Sequence, residues 1–268
     1  MTTNPKFSID TSIKHVEIGG SGKNIKIPDG WDQFVYRGMK YQRDLDGQFV
    51  CVGPQPFPNG SNHDEEALFT LGGRVVSRGY NVAYTSPVTA DNYEYNIASA
   101  LRVSSAQAAA IAKGYPLSAY PTPDKAFGTL IGDATFACGV DQVNTATGSR
   151  VPTYGYEFND DTAPFLFAPA GLLDVATHGS EMWYLFDLPN APFPVALNAE
   201  QTALADSMRA AWVRFAATGN PSTPSAPWPS YAQQGKVLSL ELPAAQVSTD
   251  FAARHHCASF AQNLDKVK

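Results

Sequence analysis

The apolar positions fall into two regimes along the chain. Over residues 1–45 only short alternating stretches occur (Phe7 and Ile9, Val16 and Ile18, Ile25 and Ile27), interrupted by Gly19-Gly20-Ser21-Gly22 and Pro28-Asp29-Gly30. This pattern predicts brief strands joined by turns. From about residue 46 the signals lengthen. Ser104-Ser105 opens a helix through Ala106–Lys113, which Gly114 and Tyr115-Pro116 stop. Phe127, Leu130, Ile131, Ala134 and Cys138 recur at spacings of three and four, so Asp124–Asn144 reads as one amphipathic helix. Pro152–Phe158 reads as a strand. The strongest helix begins at Asn198, with Gln201 as the reciprocal capping residue. It buries Leu204, Met208, Trp212 and Phe215 and ends at Gly219-Asn220-Pro221. Val237–Leu242 predicts a second strand and Asp250–Asn263 a terminal helix. Strands interleaved with helices predict an α/β fold with a parallel sheet.

Composition narrows the class of molecule. The 268 residues are 44 % hydrophobic and 16 % charged, which excludes a disordered chain. A net charge of −6 argues against nucleic-acid and anionic-membrane partners, which need clustered Lys and Arg. No apolar run reaches the ~18 residues of a membrane span. With 21 glycines and 20 prolines, loops take a large share of the chain. Length and composition fit one ordinary globular domain. Met1–Ile18 holds no basic segment followed by an apolar one, so no secretory signal is read.

The candidate chemistry is carried by few residues. Cys51, Cys138 and Cys257 lie too far apart for CxxC chemistry or zinc-finger spacing, and on local sequence alone they read as buried thiols. Gly19–Lys23 mimics a phosphate-binding loop but fails it, because Glu17 and Asn24 occupy the required Gly and Ser/Thr positions. His178 sits in the short polar loop Ala176–Glu181, suited to point into a site at the end of a β/α unit. Gly60-Ser61-Asn62-His63-Asp64-Glu65-Glu66 crowds polar groups before a helix, and acidic residues there favour the positive end of the helix dipole. A metal site from His63, Asp64, Glu65 and Glu66 is weak, since consecutive helical residues do not face one another. A carboxylate followed by a histidine has the order of the acid and base in an α/β-hydrolase. The nucleophile elbow G-x-S-x-G is not found: Ser21 is followed by Gly22-Lys23, and Ser180 lies after the acid.

From about Asp46 to Asn263 the chain resembles the C-terminal half of the type B carboxylesterases, the cholinesterase-like branch of the α/β-hydrolases. Gly60–Glu65 is similar to the family's G-x-N-x-D-E-G acid motif, and the resemblance maps the catalytic acid to Glu65. His178-Gly179-Ser180-Glu181 is similar to H-G-x-E and maps the catalytic base to His178, 113 positions on. Trp212–Pro221 is similar to W-x-x-F-A-x-T-G-[DN]-P, and Trp228-Pro229 and Leu238–Leu240 match the family's next segments in the same order. Five weak motifs in the right order make a specific signal. Glu66 departs from the family's Gly, and either perturbs its neighbour or faces solvent.

The resemblance implies a partial α/β-hydrolase fold, made of the C-terminal strands and helices of a mostly parallel sheet over residues 46–268, with residues 1–45 unassigned. It implies hydrolysis of a small carboxylic ester by a Ser–His–Glu triad that needs no cofactor and no metal. It also implies a disulfide between Cys138 and Cys257, with Cys51 free, and an exported or periplasmic location for a full-length protein. The nucleophile elbow and the oxyanion loop belong to the family's N-terminal half. The chain is therefore expected to be inactive alone, and to need an N-terminal half or to self-associate through exposed sheet and apolar surface. A non-catalytic interaction module is the alternative, weakened by the presence of both Glu65 and His178. Trp183, Tyr184 and Phe186 are expected to line an apolar pocket or to pack in the core.

Overall fold

The computed structural model describes residues 56–70, 74–77, 80–85, 87–165, 175–232 and 235–264, together with short strands before residue 55. The chain divides into two compact units, Met1–Phe57 and Pro58–Lys268. The first holds two antiparallel sheets. In one, β1 (Ile9–Asp10), β2 (His15–Glu17) and β3 (Asn24–Lys26) lie in order. In the other, β4 (Gln33–Tyr36), β5 (Met39–Arg43) and β6 (Phe49–Pro54) do the same. The Gly19–Gly22 run, Ser21 included, and the thiol of Cys51 lie outside the described residues and side chains.

The second unit carries the site. Its strands are β7 (Phe57–Asn62), β8 (Arg74–Ser77), β9 (Tyr80–Ala83), β10 (Thr153–Phe158), β11 (Val237–Leu240) and β12 (Gln246–Ser248). Its helices are α1 (Ala67–Thr70), α2 (Tyr93–Leu101), α3 (Ser105–Ala112), α4 (Pro123–Gly132), α5 (Cys138–Gly148), α6 (Met182–Leu185), α7 (Ala199–Thr218), α8 (Phe251–Arg254) and α9 (Cys257–Asn263). β8 and β9 pair as a separate antiparallel ribbon. The main sheet has the order β12-β11-β10-β7, with β10 and β11 parallel and β12 antiparallel at one end. Every residue of β11 is buried. Leu238 and Leu240 pack with Leu204 and Met208 of α7, while Val237 packs with Ala137 and Phe251. Helices thus cover both faces of this strand, as a parallel sheet requires. The fold is the partial α/β-hydrolase arrangement, helices on a mostly parallel open sheet.

Local sequence chemistry explains the elements. α7 starts with reciprocal bonds between Asn198 and Gln201 and ends on Gly219 in the left-handed region, at φ 74°. Ser104 and Gln107 cap α3 in the same way. Two predicted helices are interrupted. Asp124–Asn144 remains helical but passes through a π-helical turn at Asp133–Ala137 between α4 and α5. Asp250–Asn263 is broken at His255 and His256, the latter at φ 50°. The two breaks meet at a buried polar cluster, in which His255 Nδ1 lies 2.6 Å from Asp133 Oδ1 and the Tyr115 hydroxyl donates to Asp133 Oδ2 at 2.7 Å. Satisfying a buried carboxylate outweighs helical regularity. Cys138 and Cys257 are joined as a disulfide that ties α5 to α9.

Candidate active site

Two loops build the site. The first follows β7 and carries Glu65; the second precedes α6 and carries His178. Backbone bonds stitch them together and to the sheet: the His63 N–H donates to the Phe158 carbonyl at 2.9 Å, and the Asp64 N–H to the Ala176 carbonyl at 2.9 Å. Asn62 reinforces the seam. Its side-chain amide donates to the Thr177 carbonyl at 2.6 Å and to the Glu181 carboxylate. The Gly of the acid motif has a steric reason. A Cβ on Gly60 would overlap the carbonyl oxygen and ring of Tyr156 on β10.

This seam brings Glu65 and His178 together across 113 positions of sequence. Glu65 is buried, and its Oε1 accepts the Asn62 N–H at 2.8 Å. Its Oε2 lies 2.6 Å from His178 Nδ1. The carboxylate therefore favours the tautomer with its proton on Nδ1 and leaves Nε2 as the basic nitrogen. The His178 side chain is 47 % exposed, so one side of the ring remains accessible. Its pKa lies above the ordinary 6.5. The hydrogen bond to Glu65 is the chief cause; burial opposes it, and the charges of Glu65, Glu181 and Glu66 add to it.

Other candidates fall elsewhere. Glu66 is 1 % exposed, so it does not face solvent; its carboxylate adds to the field on His178. Ser180 is fully buried and donates to the Thr177 carbonyl at 2.7 Å, a turn-closing role. Trp183 and Tyr184 belong to the core under α7, and the Tyr184 hydroxyl bonds Asp160; only Phe186 is exposed. The rings beside His178 are instead Phe69 and Phe136, with centroids 5.3 Å and 5.9 Å away. Sequence reasoning missed both, because Phe69 follows the acid motif and Phe136 lies in the π-helical turn, and neither adjoins His178 in the chain. His63, Asp64, Glu65 and Glu66 do not converge. Glu65 turns to His178, while His63 turns toward His255, with ring centroids 5.5 Å apart.

No helix among the described residues is long and apolar enough to cross a membrane. A family model described as the Carboxylesterase family matches residues 55–259, a span that contains both loops, the sheet of the second unit and the disulfide. With more than half of its length matched, the chain belongs to the carboxylesterase family.

Proposed function

We propose that residues 46–268 are the C-terminal part of a carboxylesterase domain and supply the acid and base of a Ser–His–Glu triad. The observation that carries this reading is the 2.6 Å contact of His178 Nδ1 with a buried Glu65 inside the family match. In this reading, His178 Nε2 takes the proton of a serine hydroxyl as that oxygen attacks the ester carbonyl. Glu65 holds the imidazolium formed. His178 then returns the proton to the departing alcohol, and water hydrolyses the acyl-serine by the same route. Phe69 and Phe136 beside the imidazole suit an apolar portion of a small carboxylic ester. The serine and the oxyanion N–H groups come from a polypeptide carrying the G-x-S-x-G elbow.

A fluorophosphonate probe tests this reading. The 268-residue chain alone is expected to stay unlabelled. Mixing it with an N-terminal carboxylesterase half is expected to give labelling on the added serine and hydrolysis of p-nitrophenyl acetate. His178→Ala in the mixture abolishes both. Labelling of the isolated chain at Ser21 or Ser180, or full activity of the His178→Ala mixture, overturns the proposal.

A further inference from the structure

A second histidine cluster lies in the same unit. His63 follows β7, Glu157 sits on β10, and His255 occupies the break between α8 and α9. One donor atom from each lies within 4.8 Å of the other two. Both imidazoles are oriented by a carboxylate on Nδ1: His63 by Asp64 at 3.0 Å and His255 by Asp133 at 2.6 Å. On His63 that contact leaves Nε2 for a metal, whereas on His255 a metal has to replace the proton that Nε2 shares with Glu157. His255 Nε2 lies 2.7 Å from Glu157 Oε1, while Glu157 Oε2 is held by Arg254 at 2.8 Å. Asp64 is fixed in turn by Lys125 at 2.6 Å. His63, Asp64, Asp133 and His255 line a cavity of about 460 Å³ together with Lys125 and Arg254; Glu157, Glu65 and His178 do not line it.

We propose that His63, Glu157 and His255 form a zinc site, with a solvent molecule from this cavity as the fourth ligand. Two imidazoles and one carboxylate suit a borderline metal such as Zn²⁺ rather than the all-oxygen shells of Ca²⁺ or Mg²⁺. The Asp64 and Asp133 contacts are the outer-shell carboxylates that metal-ligating histidines use to fix tautomer and ring direction. An ion ~2.0–2.1 Å from each donor separates neighbouring donors by roughly 3.3 Å. The His255–Glu157 contact opens slightly to reach this, and the widest pair closes. The His63 side chain, 31 % exposed, has room to make that adjustment.

Zinc titrations of the EDTA-treated full chain test the proposal. The expected result is one tightly held Zn²⁺ per chain at about pH 8. Co²⁺ in its place is expected to give the intense visible bands of four-coordinate cobalt. His63→Ala and His63→Gln, at a partly exposed position, are each expected to weaken zinc binding at least about tenfold with unchanged circular dichroism. His178→Ala is expected to bind as the unaltered chain does. No bound zinc at micromolar metal, unchanged affinity in a folded His63 variant, or loss of binding in His178→Ala overturns the site.

Discussion

His178 is held by one strong contact, and its titration reports that contact. Glu65 keeps the folded-state pKa above 6.5, so the ring stays protonated to higher pH than a free histidine and is a base only above that range. Glu65→Gln removes the charge but keeps the shape. The expected outcome is a His178 midpoint that falls toward 6.5, followed by imidazole NMR across about pH 5 to 9. If the proposed triad forms with an added N-terminal half, the acid limb of kcat/KM is expected to lie above pH 6.5. A Glu65→Gln midpoint that equals or exceeds that of the unaltered chain would show that another group sets the pKa. Asn62 acts one step away. It closes the seam with two side-chain donors, and Asn62→Ala removes one bond from the Thr177 carbonyl, which keeps those from Ser180, and one from the half-buried Glu181 carboxylate. The expected cost is about 1–3 kcal/mol of unfolding free energy, read by urea denaturation.

Elements that local chemistry dictates were legible in the sequence. Asn198 with Gln201, Ser104 at the start of α3, and Gly219 after the last turn of α7 each sit where their side-chain or backbone preferences place them. The breaks at Asp133–Ala137 and at His255–His256 were not legible, because they meet in contacts across more than a hundred positions, such as His255 with Asp133, that no helical period encodes. The partnership of Glu65 with His178 was readable only through family resemblance, since the seam that creates it is made of backbone bonds. The close approach of β7 to β10 has a direct test. Gly60→Ala forces a methyl group into the Tyr156 backbone, which cannot give as a flexible side chain would. A loss of about 1–3 kcal/mol is expected, and a neutral substitution would show that the two strands separate freely.

At the scale of the molecule, two features determine how this chain holds together. The Cys138–Cys257 bond closes a segment of 119 positions around β10 and β11, and so links the π-helical side of the sheet to the end of the described chain. In the chain-entropy model a loop of this length contributes about 4–5 kcal/mol, and Cys257→Ser is expected to lower the denaturation midpoint accordingly. The other feature is the end of the sheet. β12 closes one edge as an antiparallel strand, but among the described residues no strand pairs with the outer edge of β7. β7 leads directly into the acid loop, so a strand added there would lie beside Glu65 and could deliver a nucleophile to His178. Unpaired edges recruit partners. Sedimentation velocity at micromolar concentration is therefore expected to show self-association of the isolated chain, and addition of an N-terminal half is expected to replace it with a one-to-one complex that hydrolyses esters. A sharply melting monomer that ignores the added half would mean that the β7 edge is already satisfied, and that Glu65 and His178 face no incoming serine.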